Sequence, residues 1–119
     1  MLELLPVTKE DELQKLLQEE QVSSDAQALA AWERGRMLGC VTFQVEGETA
    51  ELLTIRWEDD MGLLDGMVRA TAALCYEQGA RRIQCRDAAW ESRMKMVGFA
   101  KKDGVMLAEL PEYFQKCKS

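Results

Sequence analysis

Alternating apolar and polar residues dominate the segment 26–57. Residues 26–32, 37–45 and 49–57 alternate in this way, and the turns at 33–36 and 46–48 each contain a glycine. Alternation places successive side chains on opposite faces of a strand, and short glycine-containing turns join antiparallel neighbours. The pattern therefore predicts an antiparallel meander of three strands.

The third of these strands, at 49–57, has an apolar centre. Strict alternation divides its second half into two faces: Leu53, Ile55 and Trp57 on one, and positions 52, 54 and 56 on the other. We therefore expect Leu53 to share a face with Trp57.

Two longer segments have helical spacing. Leu13, Leu16 and Leu17 lie on one side of a predicted amphipathic helix at 9–20, with Thr8 and Asp11 placed as in a capping box. The polar residues 21–25 then form a loop. The longer helix, at 62–78, follows the acidic residues 58–60 and stops at Gly79, which favours a helix C-terminus.

The remaining segments complete one α+β domain. They are an edge strand at 2–7 broken by Pro6, a strand at 81–85, a helix from Asp87 to about residue 97, a hairpin at 98–110 and a short C-terminal tail. The order is β-α-β-β-β-α-β-α-β. A helix between two strands requires a crossover, so the sheet is expected to be mixed, with a parallel pair inside it.

Composition narrows the range of functions. The 119 residues fit a single domain at 1–119, and the formal charge of −6 disfavours nucleic acid as a partner. The chain contains no histidine, which excludes Ser-His-Asp and Cys-His catalysis and histidine-based metal sites. We expect no metal cofactor.

The sequence also suggests a compartment. We find no transmembrane segment or export signal, and the four cysteines include no CxxC pair, so we expect a cytoplasmic protein with reduced thiols and no membrane partner. One disulfide worth testing would join Cys85 to Cys117, because both lie just past the ends of predicted strands.

Four segments together resemble the GNAT superfamily of acetyl-CoA-dependent N-acetyltransferases. They read GRMLGC at 35–40, AELLTI at 50–55, GARRI at 79–83 and MVGFAKK at 96–102. Their order and spacing match the family over nearly the whole chain. The resemblance implies a single-domain GNAT-like fold with a mixed, mostly antiparallel sheet flanked by helices.

The family resemblance also implies a place for acetyl-CoA. In GNAT proteins the fourth and fifth strands separate, the pantetheine arm lies between them, and the pyrophosphate binds amides at the following helix N-terminus. Carried over by position, the cofactor-binding residues are Thr54, Ile55, Arg56, Trp57, Met61, Gly62 and Leu63.

Several positions depart from the family pattern. Asp59 stands where the phosphate loop usually starts with a basic or amide residue, and Leu64 stands where it ends with a small one. With Asp60 this gives a pair of carboxylates that would repel a pyrophosphate. Alternatively, the acidic residues simply cap the helix.

The catalytic groups are only partly matched. The family's general-acid tyrosine corresponds to Met94, which cannot donate a proton, and the candidates to replace it are Tyr76, Tyr113 and the thiols. Glu51 is the candidate general base, acting through a water molecule, although a glutamate on a strand is often simply solvated.

Two functions therefore remain open. One is an N-acetyltransferase that moves an acetyl group from acetyl-CoA to the amine of a small molecule or peptide. The other is a catalytically degenerate GNAT fold that binds CoA or another ligand, or interacts with proteins. A homodimer formed through the C-terminal strand and tail is compatible with both.

Overall fold

A seven-stranded mixed sheet forms the centre of the described part of the protein. The structure is a computed structural model and describes residues 2–58 and 60–115. The strands are β1 (Leu2–Pro6), β2 (Gln27–Glu33), β3 (Arg36–Glu46), β4 (Thr49–Trp57), β5 (Arg82–Cys85), β6 (Ala100–Lys102) and β7 (Val105–Glu109). Their order in the sheet is β1-β2-β3-β4-β5-β7-β6, and among them only β4 and β5 are parallel neighbours.

Helices cover both faces of this sheet. They are α1 (Glu10–Glu19), α2 (Met61–Glu77), α3 (Glu91–Met96) and α4 (Glu112–Gln115), with a 3₁₀ turn at Ala88–Trp90 before α3. The order confirms the predicted one, with the closing hairpin supplying β6 and β7. No helix among the described residues is both long enough and apolar enough to cross a bilayer.

Two hydrophobic clusters pack against the sheet, one on each of its faces. The main cluster lies between α2 and the sheet, and it includes Leu64 and Met67 of α2 together with Val41 and Phe43 of β3. The smaller cluster contains Leu16 of α1 and buried residues of β2 and β3. Each helix therefore buries its apolar stripe against one side of the sheet.

Gly39 allows α2 to approach the sheet closely. It is buried in β3, and a Cβ atom added there would lie 2.7 Å from the Arg56 carbonyl oxygen and 3.2 Å from two atoms of Met67. A side chain at this position would therefore push both β4 and α2 away from β3.

A β-bulge corrects the predicted faces of β4. The β3–β4 register pairs Thr42 with Thr54 and then Phe43 with Leu52, so Leu53 is the extra residue. A bulge inserts one extra residue, so the side chains after it point to the face opposite to the one that strict alternation predicts. Leu52 and Ile55 consequently pack into the same cluster as Trp57, and the expectation that Leu53 shares their face is wrong.

The start of α1 also differs from the prediction. The N-cap residue is Lys9, which makes no side-chain cap hydrogen bond, so Thr8 and Asp11 do not form a capping box. The Asp11 carboxylate instead accepts a hydrogen bond from the adjacent Glu12 amide at 3.0 Å. The first turn is still acidic, which complements the helix dipole.

The segment after Pro111, which we expected to be a tail, packs into the core as far as it is described. Tyr113 is 1% exposed, and its hydroxyl donates a hydrogen bond to the Val97 carbonyl at 2.8 Å. Its ring contacts Phe99 edge to face, with centroids 5.5 Å apart. Tyr113 therefore ties helix α4 to the α3–β6 connection.

Tyr113→Phe is expected to lower the free energy of unfolding by about 1 kcal/mol, because it removes one buried hydrogen bond and leaves the Val97 carbonyl unpaired. Urea denaturation of the variant and the wild type measures the difference. Tyr76→Phe is the control, since its hydroxyl has no hydrogen bond to a described residue. Equal losses in the two variants would contradict the role of the Tyr113 hydroxyl.

Candidate functional site

The parallel strands β4 and β5 pair over only four residues. Their register runs from Thr49 opposite Arg82 to Leu52 opposite Cys85, where β5 ends. The last five residues of β4 continue without a strand on that side in the described part of the chain. We call the space between residues 53–57 and residues 86–90 the β4–β5 opening.

Capping explains why β5 ends there. The Asp87 carboxylate accepts a hydrogen bond from the Ala89 amide at 3.0 Å and starts the 3₁₀ turn, as the sequence predicted for a helix cap. Strand β4 stays extended because β3 pairs with it as far as Trp57. Residues 54–57, expected to contact a cofactor, thus lie along this unpaired edge.

The side chains of these residues point to different sides of the sheet. The Thr54 hydroxyl donates a hydrogen bond to Glu20 at 3.0 Å, and the Arg56 guanidinium lies 3.7 Å from the same carboxylate at the end of α1. Ile55 and Trp57 instead pack against the main core under α2. The edge therefore presents backbone groups between a polar face and an apolar one.

The N-terminus of α2 lies at the end of β4. The Asp60 carboxylate accepts a hydrogen bond from the Leu63 amide at 3.2 Å, and the Trp57 indole N–H donates to the Asp60 carbonyl at 2.6 Å. Met61 is half-buried and Gly62 is exposed. Asp60 thus caps the helix and uses one of the amides expected to bind a ligand, while Asp59 lies outside the described residues.

Two tryptophans meet across the opening. The Trp57 and Trp90 rings pack edge to face with their centroids 6.2 Å apart. The Arg93 guanidinium carbon lies 5.3 Å from the Trp57 ring centroid and 5.1 Å from that of Trp90. These three side chains, the Trp–Arg–Trp cluster, join the end of β4 to the 3₁₀ turn and α3.

Met94, at the position of the family's general acid, and the two tyrosines considered as its replacements lie in different surroundings. Met94 is fully buried, and Tyr113 is hydrogen-bonded inside the core, away from the opening. Tyr76 packs against Phe114 and the Arg81 guanidinium. The Tyr113 hydroxyl is therefore engaged in the core, and Tyr76 lies near the C-terminal end of α2.

The described thiols are buried and reduced. Burial raises the pKa of the Cys75 thiol to about 12, and it also raises the pKa of Cys40 and of Cys85. Cys85 is the one that lies where β4 and β5 separate. The suggested pairing of Cys85 with Cys117 falls on a residue outside the described ones.

Glu51 lies on the α1 side of the sheet, in a polar trough of about 350 Å³. Its carboxylate is 3.2 Å from the Arg86 guanidinium and accepts a hydrogen bond from Gln84 at 3.3 Å. The side chain keeps 31% of its exposure. The residue predicted as a base is thus oriented by two neighbours and still open to solvent.

Glu20 is a second carboxylate on this face, and its side chain is only 13% exposed. Thr54, its donor, is linked by a 2.6 Å hydroxyl contact to buried Thr42, which also accepts a hydrogen bond from the Thr54 amide. Glu20 was not predicted from the sequence because it belongs to the charged side of an amphipathic helix. Arg93 was missed for a similar reason, and nothing in the local pattern marked either one.

The arrangement matches known structures. A GNAT family acetyltransferase from Elizabethkingia anophelis with acetyl-CoA bound is 12% identical, with a TM-score of 0.68 over 92% of this chain and 98% of that one. The chain has the GNAT fold.

Two further GNAT-fold neighbours support this conclusion. The ribosomal-protein-S18-alanine N-acetyltransferase of Escherichia coli is 13% identical, with a TM-score of 0.68 over 92% of this chain and 94% of that one. A Bacillus subtilis acetyltransferase in complex with CoA is 14% identical, with a TM-score of 0.62 over 92% and 97%. No protein-family model and no curated protein matches the sequence.

Asp60→Ala is expected to lower the free energy of unfolding by about 1 kcal/mol, because the Leu63 amide loses its cap. Asp60→Asn should cost less, since its side chain keeps an oxygen acceptor at the same place. Urea denaturation of both variants checks the difference. Equal destabilisation by the two would show that the cap hydrogen bond contributes nothing measurable.

Proposed function

We propose that the protein is a GNAT-type N-acetyltransferase that uses acetyl-CoA and acetylates an amine. The β4–β5 opening is the observation that supports this proposal most directly. It leaves an extended strand edge whose backbone groups have no partner strand among the described residues, beside a helix N-terminus. A chain that contains amide groups can pair with such an edge, as an added strand does.

The residues present fit such a cofactor along β4. Pantetheine contains two amides, which match the donors and acceptors of residues 54–57. At the α2 N-terminus the Met61 and Gly62 amides face the start of the helix, where anions bind favourably, whereas Asp60 opposes a phosphate. The cofactor, when bound, would supply the activated acetyl thioester.

The chain's own groups would bring the amine to the opening and accept its proton. Glu51 is the proposed general base through water, since Arg86 and Gln84 hold its carboxylate in place and leave it exposed. Glu46 lines the same trough, so two carboxylates outnumber the single guanidinium of Arg86 and favour a cationic amine on a small molecule or peptide.

Proton donation to the leaving thiolate has a weaker candidate. Cys85 lies where the strands separate, and its raised pKa keeps it protonated at neutral pH. Acyl transfer from a thioester depends strongly on positioning, so the loss of the family's tyrosine at Met94 is compatible with activity.

The alternative is a binding or interaction module that has lost catalysis. Three observations favour it: the carboxylate of Asp60 at the helix N-terminus, the burial of Met94, and the contact of Trp57 with Trp90 across the opening. Ligand binding and turnover therefore need separate tests.

Binding of CoA is expected to raise the melting temperature. With a Kd of about 100 μM, 1 mM ligand stabilises the folded state by about 1.4 kcal/mol, or roughly 4–8 °C for a domain of this size. Thermal unfolding with CoA, acetyl-CoA and AMP measures this, with AMP as the control. No shift with either CoA ligand would overturn the proposed function.

Glu51→Gln is expected to lower kcat for acetyl transfer by about 10²-fold or more without weakening CoA binding, because the amine loses its proton acceptor. Release of free CoA in the presence of a panel of polyamines and lysine peptides measures the rate. Glu48→Gln, on an exposed turn, is the control with the same charge change. CoA binding without release for any amine would instead support the non-catalytic module.

A further inference from the structure

Arg93 is held by aromatic faces and not by a carboxylate. Its guanidinium carbon lies within 5.3 Å of the Trp57 and Trp90 ring centroids, and it makes no ion pair with a described residue. Four other arginines are paired with carboxylates: Arg36, Arg56, Arg69 and Arg86. A cation–π contact with indole rings does not use the guanidinium N–H groups in an ion pair, so these donors remain for another partner.

The position of this group adds a second observation. Trp57 contacts both the guanidinium and the start of α2, because its indole N–H donates to the Asp60 carbonyl at 2.6 Å. Trp57 therefore links the Arg93 guanidinium to Asp60, the residue that caps α2 and carries the opposite charge.

We propose that Arg93 is the phosphate-binding residue of the cofactor site, a conclusion that rests on the proposed function. Its N–H donors would contact the pyrophosphate of CoA, and the two indoles hold the guanidinium in place. Arginine suits this role because its fork of donors can bind two phosphate oxygens together. The positive charge missing at position 59 is then supplied from α3.

The proposal predicts a selective loss of affinity. Arg93→Gln should weaken CoA binding about tenfold or more, because it removes charge-assisted hydrogen bonds. Pantetheine has no pyrophosphate, so its affinity should change less than twofold. Isothermal titration calorimetry of both ligands with each protein measures the two effects.

Lys95→Gln is the matched control, since it removes the same charge from the same helix at an exposed position. Arg93→Lys should be intermediate, because the charge is kept while the planar fork is lost. Melting temperatures of all variants show whether they are folded.

The wild-type protein offers an independent measurement. Inorganic pyrophosphate should compete with CoA but not with pantetheine, and it should change the tryptophan fluorescence because Trp57 and Trp90 flank the binding group. The fluorescence change should disappear in Arg93→Gln and persist in Lys95→Gln. This readout needs no catalytic turnover.

The outcomes are distinguishable. If the wild type binds neither CoA nor pantetheine, the proposed function fails and the role of Arg93 fails with it. If CoA binds and Arg93→Gln behaves like Lys95→Gln, only the role of Arg93 is overturned. An equal loss for CoA and pantetheine would also overturn it, since it would show that Arg93 only supports the packing of the indoles.

Discussion

The early end of the β4–β5 pairing is the constraint on which the candidate site depends. The pairing stops after the fourth residue pair because β5 itself ends there, at Cys85. Strand β3 pairs with β4 as far as Trp57 and keeps it extended, whereas after β5 the Asp87 carboxylate caps a 3₁₀ turn. The resulting gap exposes backbone groups that water or a ligand must satisfy. The bulge at Leu53 adds to this by turning Ile55 and Trp57 toward the α2 side.

The order of elements could be predicted because it depends on local signals. Alternation, glycine-containing turns and the spacing of leucines act over a few residues, and β4 was predicted with its observed bounds. Two of the errors came from longer-range effects. The bulge depends on how β3 pairs with β4, and the burial of Tyr113 depends on the space left beside Gly98 and Phe99. Lys9 replaced Thr8 as the N-cap although Thr8 has the better capping side chain.

The site could be predicted from the sequence only where the position of the backbone determines which residues line it. Resemblance in order and spacing placed residues 54–57 on the open edge, since strand position follows from the fold. Side-chain partners did not follow. Arg93 is three residues from Trp90 in the chain, but it reaches Trp57 only because the fold brings α3 to the end of β4, and Glu20 reaches Thr54 only because α1 ends beside β4. No sequence interval encodes these contacts.

The two sides of the opening differ in the charged groups that line them. The formal charge of −6 disfavours an anionic ligand at long range, but the Debye length at physiological ionic strength is about 8 Å, so distant carboxylates are largely screened. Groups in direct contact then decide affinity. On the α1 side the trough contains the carboxylates of Glu46 and Glu51 and the guanidinium of Arg86, whereas on the α2 side Trp57 contacts both the Asp60 carbonyl and the Arg93 guanidinium. Under the proposed function, the amine and the phosphate-bearing donor would approach the opening from opposite sides, the amine from the trough and the donor from the side that carries Arg93 and the α2 N-terminus.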